Sequence, residues 1–257
     1  MGQVSLHVEL LGYTPEPQKM VALAAKLCYS SADIDTLQQG ILSKEQGKFI
    51  KKLTDMGHLS PVEHAVFTFA VEGVSRSLLA QITRHRIASF SVKSQRYVSE
   101  QSKGEKIFNY VIPVGIERLG QLHIDKFESQ MAMMQNWYDE WLEILGKGKE
   151  TSNEDARFVL PNACETKFIV SMNARELMHF FNLRCCRRAQ WEIRALANQM
   201  LRKVLEVAPE LFSNSGPNCV TGFCPENELS CGKMNEVIEE YNTLFSNITH
   251  LKDKEEL

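Results

Sequence analysis

Between Arg84 and Tyr97 the chain reads Arg-His-Arg-Ile-Ala-Ser-Phe-Ser-Val-Lys-Ser-Gln-Arg-Tyr, with three arginines, a lysine, a histidine, three serines and no carboxylate. Guanidinium groups offer a planar fork of donors matched to phosphate or carboxylate. Serine hydroxyls and an imidazole add shorter contacts that fix orientation. The chain as a whole carries a formal net charge of -3, so this cationic run is local and not a consequence of composition. A solvated basic loop is the simpler alternative, but Ile87, Phe90 and Val92 interrupt the charges with apolar groups that solvent alone does not call for. The stretch is therefore read as a site for compact anions.

The elements around it must position it. Val74, Leu78, Leu79 and Ile82 recur at helical spacing, so Arg84, His85 and Arg86 are expected at a helix C-terminus, with the serine-rich stretch as the loop beyond. Macrodipole preference alone explains cations there, at about 0.3–1 kcal/mol. Val66 to Val71 reads as a strand, and so does the alternating opening Val4, Leu6, Val8, Leu10. A helix is predicted from Glu16 to Cys28, with Pro17 in its first turn. Ser43 to Gln46 forms a capping box for another helix, which Gly57 stops. Residues 121–145 form a long helix whose stripe of Phe127, Met131, Met134, Trp137, Trp141 and Leu145 reads as core or subunit contact. Asn153 is expected to cap a short helix leading to Arg157. Thr166 to Met172 is a strand, Asn173 with Glu176 starts a helix, and a last helix runs from Gln190 to Val207.

The bulk properties set limits. The 257 residues, 44% of them hydrophobic, can bury one substantial core or two. No apolar run reaches bilayer-spanning length, and the opening residues lack a signal-peptide pattern. No membrane association and a cytoplasmic location are expected. Near-neutral charge argues against a nucleic acid polymer as partner. Seven unevenly spread cysteines do not read as a disulfide framework. In the tail, Cys219, Cys224 and Cys231 lack paired zinc-ligand spacing. A redox-inert loop and a zinc site stay open as readings, and no metal ligand is assigned.

The order of residues also resembles a known family. Arg84-His85-Arg86, seven residues, Ser94, then Arg96-Tyr97 looks like the signature of flavin-dependent thymidylate synthases. Gly57-His58 with Pro61 to Phe69, Ala156 to Pro161, Asn173-Ala174-Arg175, and Asn182-Leu183-Arg184 with Ala189 to Ile193 are similar to further blocks of that family, in the same order. The resemblance covers residues 1–210 as a catalytic domain, and leaves 211–257 as a cysteine-containing extension of unassigned role.

The resemblance implies an α/β (α+β) fold with a mixed central sheet flanked by helices. It implies a methyltransferase that converts deoxyuridine monophosphate to thymidine monophosphate. Methylene-tetrahydrofolate supplies the carbon and FAD, reduced by NADPH, carries the hydride. A homotetramer with shared active sites is implied as well. Residue by residue, Ser60, Arg84, His85, Arg86, Val92, Asn173, Ala174, Arg175 and His179 are expected at FAD, Ser60 reaching it from another subunit. Gln81, Ile82, Thr83, Arg84, Val92, Lys93, Ser94, Gln95, Arg96, Arg157 and Arg184 are expected at the nucleotide. Arg184 and Ser94 are the catalytic candidates, Arg184 by favouring negative charge that develops on the uracil ring. Ser94 is either a positioning hydroxyl or a nucleophile, and a nucleophile would need a base beside it.

Two positions depart from the family pattern. Val92 stands where many members carry an acidic or amide side chain, and His179 where an amide is common. Arg175 or Arg184 paired with Glu176, Glu165 or Glu192 would be the structural alternative to ligand binding. Two other functions compete: a phosphate-binding nucleotide hydrolase without flavin, which leaves the order of the motifs unexplained, and an RNA-binding module, which predicts steep salt dependence.

Overall fold

The computed structural model of the protein describes residues 2–42, 46–104 and 106–255. In chain order its elements are β1 His7–Tyr13, α1 Pro17–Leu27, α2 Ile34–Leu42, α3 Gly47–Asp55, β2 Val66–Ser75, α4 Arg76–Ile82 and β3 Ala88–Val92. There follow α5 Val114–Glu117, α6 Gln121–Leu145, α7 Glu150–Ala156, β4 Glu165–Asn173, α8 Ala174–Arg184, α9 Trp191–Val207, α10 Pro209–Phe212 and α11 Met234–Glu255. The four strands form one antiparallel sheet in the order β1-β2-β4-β3, and the α/β class expected from the sequence holds. The chain divides into two compact units. One gathers the residues up to His7, Ala70–Arg84 and Phe90–Ile169, and the other gathers Val8–Phe69, His85–Ser89 and everything from Val170 onward.

The strands follow a period of two. Along β4, Thr166, Phe168, Val170 and Met172 are buried while their neighbours are not, as a sheet with one covered face requires. β3 is a correction to the expected loop. Ala88, Phe90 and Val92 are half-buried and alternate with exposed Ser89 and Ser91, so the serines that suggested a loop occupy the open face of an edge strand. In the first unit Gly73 takes φ 69°, and a Cβ there would lie 1.8 Å from the Ser5 carbonyl oxygen. Only glycine allows that approach.

Helix ends in the second unit are set by side chains and by glycine. Pro17 opens α1, where a missing N–H costs nothing. Gly57, at φ 71°, closes α3 in a Schellman arrangement: its N–H donates to the Thr54 carbonyl at 3.0 Å, and the His58 N–H to that of Leu53 at 3.0 Å. Ser43, Lys44 and Glu45 of the expected capping box lie outside the described residues. The Asn173 side chain caps α8 by accepting from the Glu176 N–H at 2.9 Å, and Gln190 caps α9 in the same way. The core of this unit is aromatic: Phe67, Phe181 and Phe212 are fully buried, with Phe212 meeting the other two edge-on at 5.4 and 6.0 Å between ring centroids.

The first unit is built around α6, whose span matches the expected helix. Met131 is buried, with Phe127 and Met134 packed against the same cluster as Phe108, Tyr110 and Ile112. Tyr138 and Leu142 fill a second cluster with Ala156. Trp137 and Trp141 are about half exposed, so the stripe is core only along its first half. α7 begins after Lys149 rather than at Asn153. Asn153 sits inside that helix, its amide donating to the Arg96 carbonyl at 2.9 Å. This employs the side chain across the chain instead of at a cap.

Candidate active site

In the first unit α4 ends at Ile82, and Thr83 caps it, which puts Arg84 just past the helix end, exposed. The Ile82 side chain is fully buried, so only its backbone can meet a ligand. Gln81 is half-buried, with its amide donating to the Ser77 carbonyl. Past Val92, the last residue of β3, the chain turns at Ser94, whose hydroxyl accepts from the Arg96 N–H at 3.2 Å. The Gln95 amide is buried and donates to Cys164 Sγ at 3.5 Å.

The cations of this run are not without carboxylates after all. Lys93 Nζ lies 2.6 Å from Glu100. Arg96 lies 2.5 Å from Glu150 and 2.6 Å from Glu154. Arg157, 61 positions beyond Arg96 by number, joins them because its Nε–H donates to the Glu154 carbonyl at 3.1 Å. The structure thus brings Lys93, Ser94, Arg96 and Arg157 into one cluster, counter-charged by acids from α7 and the segment before α6. Sequence reasoning missed those acids. Glu150 and Glu154 are four apart, one helical turn, which was the available signal.

In the second unit the candidates converge on α8. Asn173 is its cap, Ala174 its fully buried first residue, and Arg175 is exposed and 2.5 Å from Glu63. Glu63 belongs to the 3₁₀ turn Pro61–His64, and exposed Ser60 precedes it. His179 and Arg86 are exposed. His85 is not: it is 4% exposed, with its Nδ1 3.0 Å from Glu176 and its Nε2 accepting from Arg184 Nε–H at 3.1 Å. Burial is the main force holding the His85 pKa below its ordinary value, opposed by its bond to Glu176 and assisted by the nearby Arg184 and His179 charges. The side chain of His85 therefore faces protein on both sides, while exposed Arg84 and Arg86 flank it in sequence.

Of the structural pairings considered for the arginines, Arg175 takes Glu63 instead. Glu165 binds Asn109 and the Gly73 N–H, and Glu176 and Arg184 both bond to His85. Arg184 also lines a cavity of about 290 Å³ together with Asn182, Arg188, Cys186, Cys219 and Cys224. The cysteine-bearing tail thus forms part of its wall. The same tail is fastened by Arg187, 2.8 Å from Glu236 and 3.3 Å from Glu240, and by the Tyr241 hydroxyl donating to Asn198 at 2.6 Å.

The arrangement offers clusters of cationic donors, and its most buried thiols are not activated. All seven cysteines are free. Burial pushes the Cys164 and Cys185 thiols up to about 12, which keeps them protonated and poor nucleophiles at neutral pH. Both His85 ring nitrogens are engaged, which removes it as a base for Ser94. Among the described residues no group of three or more His, Cys, Asp or Glu is placed to hold a metal ion, and no helix is long and apolar enough to cross a membrane.

Comparison with known proteins bears on the same residues. A family profile described as thymidylate synthase complementing protein matches residues 9–210. A flavin-dependent thymidylate synthase of Clostridium tetani is 49% identical over 249 residues, covering 93% of this chain and 98% of its own. That of Geobacter sulfurreducens is 50% identical, covering 90% and 96%. That of Pyrococcus furiosus is 39% identical, covering 87% and 91%. A match over 93% of the chain must run past residue 210, so part of the tail is shared with that relative. With identity near one half across nearly the whole length of both chains, this protein belongs to the flavin-dependent thymidylate synthase family.

Proposed function

We propose that the protein converts deoxyuridine monophosphate to thymidine monophosphate, with methylene-tetrahydrofolate as carbon donor and NADPH as reductant through FAD. The observation that carries this reading is its match to flavin-dependent thymidylate synthases over more than nine-tenths of the chain. The electron balance then has a consequence. Turning a methylene into a methyl takes two electrons, and if NADPH provides them the folate leaves as tetrahydrofolate, not dihydrofolate.

The donor set suits FAD. Its pyrophosphate is a dianion, and exposed Arg86 and Arg175 offer charge-assisted donors for it, with exposed His179 and the Asn173 cap at the start of α8 adding neutral polar groups. Glu63 holds Arg175 in the meantime. FAD, when bound, supplies the hydride chemistry, and the protein supplies placement and electrostatics. Arg96, Arg157, Lys93 and Ser94 bind the nucleotide phosphate, with the carboxylates of Glu150 and Glu154 yielding Arg96 to it. Gln81, Thr83 and Arg84, with the backbone of Ile82, Val92 and Gln95, complete the nucleotide contacts. Arg184 faces the uracil ring and stabilises charge that develops there. Ser94 acts as a positioning hydroxyl, since its oxygen accepts from the Arg96 N–H and no base is needed for that role.

In this reading the enzyme is a cytoplasmic homotetramer whose subunits share active sites, with Ser60 contributing across a subunit boundary. Residues 1–210 carry the catalytic body, and the extension 211–257 closes the cavity at Arg184. The test is direct. The purified protein, supplied with FAD, should show flavin absorbance and form thymidine monophosphate only when deoxyuridine monophosphate, methylene-tetrahydrofolate and NADPH are all present. Tetrahydrofolate should be the folate product, and the mass in solution should be that of four chains. Thymidine monophosphate formed with dihydrofolate and without flavin would overturn the reading.

A further inference from the structure

Glu176, His85 and Arg184 form a line of contacts in the second unit whose chemistry is fixed by one member. An arginine Nε always carries a proton and can only donate. Its 3.1 Å contact with His85 Nε2 therefore requires a lone pair on that nitrogen. The ring proton must sit on Nδ1, where it donates to Glu176 Oε1 at 3.0 Å. A protonated ring would set N–H against N–H and lose Arg184. The plane of the ring is fixed as well, because Phe180 meets it edge-on at 4.9 Å and His179 at 5.8 Å between centroids. Glu176 is 7% exposed and is itself placed by the Asn173 cap on its N–H.

The interposed imidazole has a physical advantage over a direct ion pair. A carboxylate in contact with Arg184 would orient it but cancel much of its charge, since opposite charges at hydrogen-bond distance interact strongly in a partly buried site. A neutral acceptor orients the guanidinium without itself offsetting its charge, while the Glu176 carboxylate stays one ring further away and selects the tautomer. This is the arrangement by which a carboxylate behind a histidine tunes a reacting centre without touching it.

We infer that Glu176 is a positioning residue of the thymidylate reaction, acting through His85 held as its Nδ1–H tautomer to orient the Arg184 guanidinium, with no contact of its own to flavin or nucleotide. The inference rests on the role proposed above for Arg184, and three variants separate the two: Glu176→Gln, Arg184→Ala and the double variant, each studied as the FAD-loaded enzyme. Glutamine has nearly the shape of glutamate, but it carries no charge and can also donate to Nδ1, so it no longer enforces the tautomer that Arg184 requires.

Glu176→Gln should lower kcat by about tenfold to a hundredfold. Flavin absorbance and the KM for deoxyuridine monophosphate should stay within about twofold, a split that general loss of structure would not give. In the double variant the loss should be no greater than in Arg184→Ala alone, because the residue Glu176 acts on is already gone. A kcat for Glu176→Gln within twofold of the parent, or losses that multiply in the double variant, overturns the inference. Near-normal turnover of Arg184→Ala instead overturns the reading of Arg184 itself. If Glu176→Gln does not fold, Glu176→Asp, which keeps the carboxylate but withdraws it by one methylene, decides by the same readouts. A kcat reduced at least threefold with flavin retained supports the inference, and an unchanged kcat overturns it.

Discussion

Arg96 meets two carboxylates, Glu150 at 2.5 Å and Glu154 at 2.6 Å, and all three side chains are more than 40% exposed. Arg184 meets an uncharged nitrogen at 3.1 Å, beside a histidine and a glutamate that are both buried. The two arginines carry the same charge and are held in opposite ways. Around Arg96 the local charge is balanced in the open, where ion pairs are weak and exchange readily. An incoming phosphate can replace one anion with another at little cost. Around Arg184 the orientation is held by a neutral group in a buried setting, where a displaced partner is expensive. The first arrangement fits the phosphate grip proposed for Arg96, the second the fixed orientation proposed for Arg184 at the reacting ring.

The largest effect is expected where the buried line is cut. His85→Leu leaves the Glu176 carboxylate without its partner in a site closed to water, and should lower unfolding stability by about 3 kcal/mol in a urea titration at neutral pH. The same variant sharpens the contrast through pH. The folded-state pKa of His85 lies below the ordinary 6.5, so between those two values the unfolded chain binds the extra proton and stability falls as pH falls. That loss should begin near pH 6.5 in the parent, and the His85 contribution to it should vanish in His85→Leu. A parent whose stability is flat from pH 7 down to pH 5 would contradict the neutral ring.

A smaller effect tests the base of the same line. Asn173→Ala removes the cap that places Glu176 and should cost about 1 kcal/mol, with kcat reduced more than the KM for deoxyuridine monophosphate. The smallest effect is expected at the exposed cluster. The double change Glu150→Gln and Glu154→Gln should alter stability by less than about 1 kcal/mol, and less still as salt is raised. It should lower the KM for deoxyuridine monophosphate, since Arg96 no longer has to leave two carboxylates. A loss of several kcal/mol there would erase the distinction between the two regions.

Much of this was legible in the sequence, for physical reasons that differ by element. α6 shows itself through apolar periodicity over twenty-five residues, and α8 and α9 through the side chains at Asn173 and Gln190 that begin them. β3 was hidden because Ser89 and Ser91 are small and polar, and an edge strand with one open face tolerates them as well as a loop does. Asn153 looked like a cap because its type favours caps, but a tertiary bond to Arg96 takes precedence. Arg84, Arg86 and Arg96 stand out by type and spacing, whereas Arg157, Arg175 and Arg184 are picked out by resemblance to the family's motifs. Their partners could not be picked out, because Arg96 finds its acids more than fifty positions away and Arg184 bonds to a histidine from a different part of the chain. Pairing at such separation is a property of the fold, and the local pattern carries no trace of it.

The central claim is the division of labour between the two arginines, and one comparison tests it most directly. Steady-state kinetics of Arg184→Ala and Arg96→Ala, measured side by side with saturating folate, NADPH and FAD, separate presenting charge from gripping substrate. The account predicts that Arg184→Ala loses about a hundredfold or more in kcat with little change in the KM for deoxyuridine monophosphate. Arg96→Ala should raise that KM by about tenfold or more, as loss of a charge-assisted phosphate contact does, with kcat largely kept. The opposite assignment, or the same pattern in both variants, would contradict it.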